Sequence, residues 1–144
     1  MFEFEGVLAA FNKARVRYIL VGGVASVLHG VPRTTTDIDL ALDSAPENVA
    51  RALRALKRIG LVPDTEAIDD ILAQGGVTAS NRLEIDLLTS LPTGTFAGLW
   101  RNRKPFRYGR TRAFAVSKAD QIRLLRAAGR KKDLEDADHL ESLE

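Results

Sequence analysis

Apolar residues recur along the chain with two periods. Phe4, Val7, Leu8 and Phe11 follow the i, i+3/i+4, i+7 spacing of an amphipathic helix. Residues 18–21 form a short apolar run, Tyr-Ile-Leu-Val, which predicts a buried strand. Gly22-Gly23 breaks it, and residues 24–28 predict a short helix, with Gly30 as a left-handed stop and Pro32 barring continuation. Residues 36–43 then alternate: Ile38, Leu40 and Leu42 fall on one side, Asp37, Asp39, Ala41 and Asp43 on the other, as on a half-buried strand with one acidic face. Ser44, Pro46 and Glu47 predict a capping-box entry into a helix with Val49, Leu53, Leu56 and Ile59 on one stripe, ended by Gly60. A weaker helical pattern over 64–74 closes at Gly75-Gly76.

Residues 77–89 predict a hairpin turning near Ser80-Asn81. Its second strand sets Leu83, Ile85 and Leu87 against Glu84 and Asp86. One or two helical turns are expected over 95–102, and a second hairpin over 106–116 around Gly109. Ser117 with Asp120 predicts an N-cap for a helix over 118–128. After Gly129, a last helix over 132–143 carries Leu134, Ala137, Leu140 and Leu143 inward. Helices mixed with few, partly hairpin-linked strands argue an α+β fold, and 144 residues argue one domain spanning 1–144.

Composition narrows the chemistry. There is no cysteine, so thiolate metal sites, thiol nucleophiles and disulfides are excluded. Two histidines, His29 and His139, leave little room for zinc. No run reaches the ~18 apolar residues of a membrane span, and the first residues do not read as a signal peptide; a cytoplasmic protein with no membrane partner is the expectation. The formal net charge of +2 hides a segregation. From Leu87 to Lys132 there are 12 Lys or Arg and one acid, Asp120, whereas the remainder holds 9 basic and 18 acidic residues. Such segregation suits one part handling an anion and another a cation, unless folding intermixes the charges.

A glycine pair opening a helix lets a phosphate approach the backbone closely; alone it is a common turn. Asp37 and Asp39, two apart on a strand, project to one face, where like charges repel unless a cation neutralises them. Taken alone, that pair fits a metal site and a solvated strand end equally. Asp86 adds a third carboxylate on another strand. Hard oxygen ligands without Cys or His select Mg²⁺ or Mn²⁺. A phosphate cradle facing such an ion suits phosphoryl or nucleotidyl transfer.

The run Val21-Gly22-Gly23-Val24-Ala25, then His29-Gly30, then Arg33-Thr34-Thr35-Thr36-Asp37-Ile38-Asp39-Leu40 resembles the core motif of the polymerase-beta-like nucleotidyltransferase superfamily, in particular the minimal nucleotidyltransferases of toxin–antitoxin and abortive-infection systems. Gly129-Arg130-Lys131-Lys132-Asp133-Leu134 and Asp136 resemble the tail of these short proteins. The resemblance implies the nucleotidyltransferase fold, with Gly22 and Gly23 as the nucleotide phosphate site. It implies Asp37 and Asp39 as Mg²⁺ ligands, and Asp86 as the third acid, assisting metal binding and proton removal from the acceptor hydroxyl. The superfamily often has serine where Gly23 stands, and the related short proteins a lysine where Leu125 stands. The implied reaction moves an NMP group from an NTP, ATP first, to a hydroxyl of a protein, a tRNA or a small molecule, with a toxin or antitoxin as partner. A non-catalytic nucleotide- or RNA-binding partner module of the same fold is the alternative, and a Mg²⁺-dependent phosphatase or nuclease a third.

Arg33 is expected to contact the triphosphate or neutralise Asp37, and Lys132 to extend the positive field, with Lys118, Arg126 and Arg130, toward it. His29 reads as a helix-end cap, Ser26 as a surface hydroxyl, Asp43 as part of a helix entry and Glu84 as a solvated strand residue. Arg101, Arg103, Lys104, Arg107, Arg110 and Arg112, interleaved with Trp100, Phe106 and Tyr108, suit RNA or nucleotide contact; the bland reading is a solvated basic face over buried aromatics.

Overall fold

In the computed structural model, which describes residues 3–143, the chain forms α1 (Glu5–Lys13), β1 (Tyr18–Val21), α2 (Gly22–Leu28), β2 (Asp37–Leu42), α3 (Pro46–Arg58), β3 (Val62–Pro63), α4 (Ile68–Gln74), β4 (Gly76–Ser80), β5 (Glu84–Leu88), α5 (Phe96–Asn102), β6 (Lys104–Tyr108), β7 (Thr111–Ala115), α6 (Lys118–Ala128) and α7 (Lys131–Ser142). One mixed sheet runs β3-β4-β5-β2-β1-β7-β6. β2 sits at its centre, antiparallel to β1 and parallel to β5. The fold is α+β, as the sequence pattern implies.

Strand alternation feeds two cores. Tyr18, Leu20, Ile38, Leu40, Leu42, Ile85 and Leu87 pack with Val7, Leu8 and Phe11 of α1, Val49, Leu53 and Leu56 of α3, and Ile71 of α4. Ile19, Val21 and Ala41, on the opposite face, pack with Leu99 of α5 and Leu124 of α6. The expectation of a half-buried strand with one acidic face holds at its acids and departs at Ala41. On the acidic face Ala41 is buried, whereas Asp37, Asp39 and, just past the strand, Asp43 stay partly open. Val31, Leu125, Ala137 and Leu140 join α6, α7 and the loop after α2 in a third cluster.

Several local expectations change. The capping box at Ser44 does not form: Ala45 is the N-cap residue without a side-chain bond, and the Asp43 carboxylate accepts the Ala45 N–H at 3.0 Å. Ser117 does cap α6, accepting the Asp120 N–H at 3.1 Å. The helix expected over 64–74 is confined to α4, because Asp64 donates its backbone N–H to the Thr78 carbonyl alongside the β3–β4 pairing. Ile59 (41% exposed) and Leu134 (39%) lie outside the core they were expected to join.

Candidate active site

The two parallel strands decide the geometry. Their register pairs Asp37 with Glu84 and Asp39 with Asp86, while the antiparallel register pairs Asp39 with Val21, the residue before the glycine turn. Side chains directly across a ladder share a face. The acid on the distant hairpin is thus the neighbour of the acids on β2, and the turn ends beside them.

Within that face the carboxylates divide. Oxygens of Asp37, Glu84 and Asp86 lie within 4.8 Å of one another, a set of hard donors suited to a divalent cation. Asp39 lies outside that set. It packs against Gly22 so closely that a Cβ added there would stand 2.1 Å from Asp39 Oδ2. Burial first, then the charges of Asp37 and Asp86 and a hydrogen bond to Asp86, push the Asp39 pKa from 3.8 up to about 7, with Arg130 opposing. Thr78 donates its hydroxyl to Asp86 Oδ1 at 2.7 Å. Thr35 Oγ1 donates to the Asp37 carbonyl at 3.0 Å and lies 3.3 Å from Asp37 Oδ1. Both hydroxyls restrain the acids' rotamers. Glu84 is exposed, in keeping with its reading as a solvated strand residue, and it also belongs to the acidic set; its alternation with Asp86 was the available signal.

Gly22 adopts φ +66°, a left-handed value that a side chain resists. Gly23 is less constrained: a Cβ there would meet Thr35 Oγ1 at 3.2 Å, and its φ is not positive. The Gly22 carbonyl accepts from Gln121 Nε2 at 2.9 Å, and the same nitrogen lies 3.0 Å from Ser26 Oγ. Ser26 is fully buried, which corrects its reading as a surface hydroxyl.

Of the expected cations, Arg33 is placed differently from the sequence expectation. Arg33 points to α7, where its Nη1 donates to Asp136 Oδ2 at 2.7 Å. This pair, not neutralisation of Asp37, is what the structure gives Arg33. Lys132 is exposed in the first turn of α7. Arg130, just ahead of that helix, is the cation whose charge reaches Asp39; its guanidinium is held by Asp133, with Nε–Oδ2 at 2.7 Å. His29 lies 2.7 Å by Nε2 from the Val116 carbonyl and edge-on to Phe106, a structural setting. Among the interleaved basic and aromatic residues, Arg103 stacks 3.9 Å from the Trp100 ring centroid, and Arg17 joins from 4.8 Å. This group adjoins the start of β1, at the other end of the sheet from the acids, since Val21 and not Tyr18 pairs with Asp39.

Two hollows meet at the acids. One, of about 170 Å³, has Gly22, Asp39, Gln121 and Arg130 among its polar lining and Leu88, Leu91, Pro92, Leu124 and Leu125 among its apolar lining. Leu125, where the resemblance implied a lysine, is part of that apolar lining. The other, of about 370 Å³, is lined by Asp64, Gly75, Gly76, Thr78 and Asp86 together with neighbouring β4 and β5 residues.

No protein-family model and no curated protein matches the sequence. Solved structures match in shape. The lincomycin-bound lincosamide antibiotic adenylyltransferase LnuA superposes with a TM-score of 0.67 at 20% identity, covering 96% of this chain and 94% of that one. ANT(2″)-Ia in complex with adenylyl-2″-tobramycin gives 0.66 at 16% identity, over 96% of this chain and 85% of that one. The solution structure of antibiotic-resistance factor ANT(2″)-Ia gives 0.64 at 16% identity, over 94% and 78%. The chain has the nucleotidyltransferase fold, as the motif around Gly22–Leu40 implied.

Proposed function

We propose that the protein is a divalent-cation-dependent nucleotidyltransferase that moves an NMP group from an NTP, ATP first, to a hydroxyl of a small molecule. One observation carries the reading: the register sets Asp86 directly across from Asp39, with the Gly22 turn packed on Asp39. The matching folds belong to an adenylyltransferase bound to lincomycin and to a protein bound to an adenylylated tobramycin, which favours a small acceptor over a protein or tRNA.

Asp37, Glu84 and Asp86, whose oxygens lie within 4.8 Å of one another, would hold Mg²⁺ or Mn²⁺, and Asp39, across the ladder from Asp86, would add a fourth carboxylate. The donor set fits, being all oxygen and mutually repelling until a cation is shared. Such an ion neutralises phosphate charge and polarises the phosphorus under attack. The chain's residues do the rest. The Gly22–Gly23 turn receives the polyphosphate, because no side chain intervenes between its backbone and a ligand. Arg130 supplies positive charge on that side, with Lys132 further along. The acceptor enters from the hollow containing Asp64 and Asp86; its hydroxyl oxygen attacks the α-phosphorus, its proton passes to Asp86, and pyrophosphate leaves.

The test is transfer of label from [α-³²P]ATP, with lincomycin and tobramycin among the acceptors tried. Pyrophosphate release coupled to an acceptor-bound label is expected. Asp39→Ala and Asp86→Ala should each lower the rate at least ~100-fold. Full activity in either variant would remove the proposed site, and phosphate release without pyrophosphate would point to a hydrolase.

A further inference from the structure

Gln121 is fully buried on α6, 99 residues from the turn it touches. Its amide orientation is not in question: the Gly22 carbonyl only accepts, so the nitrogen must face it. Among the described residues the Oε1 has no donor, yet the residue lines the smaller hollow with Asp39 and Arg130. A buried acceptor left unpaired destabilises the fold, so packing alone does not explain a glutamine here. What the side chain accomplishes is to hold the Gly22 carbonyl toward α6.

Peptide planarity gives that contact a consequence. In the trans Gly22–Gly23 unit, the carbonyl and the following N–H point in opposite directions. Drawing the carbonyl toward α6 turns the Gly23 N–H away from it. That N–H belongs to the first turn of α2 and has no intrahelical acceptor. The turn is also seated from below, Gly22 on Asp39 and Gly23 beside Thr35, whose hydroxyl reaches Asp37. We propose that Gln121 is a positioning residue: by clamping the Gly22 carbonyl it aims the Gly23 amide at the nucleotide's polyphosphate, and so sets nucleotide affinity without touching the nucleotide. This rests on the function proposed above.

The experiment uses ¹⁵N-labelled full-length protein titrated with Mg·ATP, and separately with Mn²⁺ alone, which reports on the acids. In the wild type, Mg·ATP should shift the Gly23 amide and the Gln121 side-chain amide together. Gln121→Met, of similar size, should weaken Mg·ATP about 10-fold or more and abolish the Gly23 shift, while Mn²⁺ affinity stays within about 2-fold. Ser26→Ala removes the other contact of the clamp and should leave Mg·ATP affinity within about 2-fold. A Gln121→Met protein that binds Mg·ATP like the wild type, with the same Gly23 shift, overturns the inference and leaves the function standing. Wild type that does not bind Mg·ATP overturns both. Should Gln121→Met fail to fold, the wild type decides: a Gly23 shift with an unmoved Gln121 side chain overturns the inference.

Discussion

At the scale of single residues, adjacent glycines have different duties. Gly22 has a positive φ and faces Asp39 with no room for a Cβ, whereas Gly23 has ordinary backbone and meets only a hydroxyl at 3.2 Å. Gly22→Ala should cost at least ~2 kcal/mol and displace Asp39. Gly23→Ala should stay within about 1 kcal/mol of wild type; urea denaturation of both checks the contrast. Asp39 makes a second prediction. Its folded pKa of about 7 exceeds the ordinary 3.8, so the folded state holds a proton that the unfolded chain has released across that interval. More protons bound in the folded state means stability falls as pH rises from about 4 to about 7 and levels off above. Asp39→Asn should flatten that slope and be the more stable protein at pH 8. Urea midpoints from pH 4 to 8 in EDTA measure it; an unchanged slope in the variant would be the contrary result.

Among the elements, helix entry separates sequence pattern from contact. Ser44 and Ser117 both precede helices, and a capping pattern is plausible at each. Only Ser117 accepts a backbone N–H; at α3, Pro46 begins the helix and Asp43 ties back the preceding turn. Ser117→Ala should therefore cost about 1 kcal/mol and Ser44→Ala only a few tenths. Thermal melts of the two variants distinguish them. Arg33 shows the same limit. Its place before the acidic strand suggests a local partner, but the half-buried bond to Asp136 crosses 103 residues and docks α7 on the loop that leads into β2. Spacing along the chain carries no information on that pairing.

Across the whole molecule, the charge segregation is partly preserved in space. The basic stretch forms α5 to the start of α7, and Arg130 approaches the acids from that side, while Asp64 and Asp86 line the opposite hollow. A polyanion on one side and a cation among the carboxylates would bind only the folded state. Mg·ATP at about 100 times its Kd should add about 2.7 kcal/mol to stability. The gain should vanish in Asp37→Asn combined with Asp39→Asn. Melting temperatures with Mg²⁺ alone, ATP alone and both together test this, and equal gains in wild type and double variant would contradict it.

Periodicity and local chemistry settle what depends on neighbours in the chain. β1, the acidic alternation of β2, both hairpins and the Ser117-capped helix are readable from residues a few positions apart. The motif from Val21 to Leu40 carries the fold with it. Tertiary structure alone decided which strands adjoin, because pairing is a long-range matter that the two-residue period leaves open. It laid β5 beside β2 in the register that brings Asp86 and Glu84 to Asp39 and Asp37. It also buried Ser26 and Gln121, committed Arg33 to Asp136, and set the charge of Arg130 against Asp39. Those outcomes follow from packing α6 and α7 over one end of the sheet, and a side chain's partner is set by what the fold delivers to it.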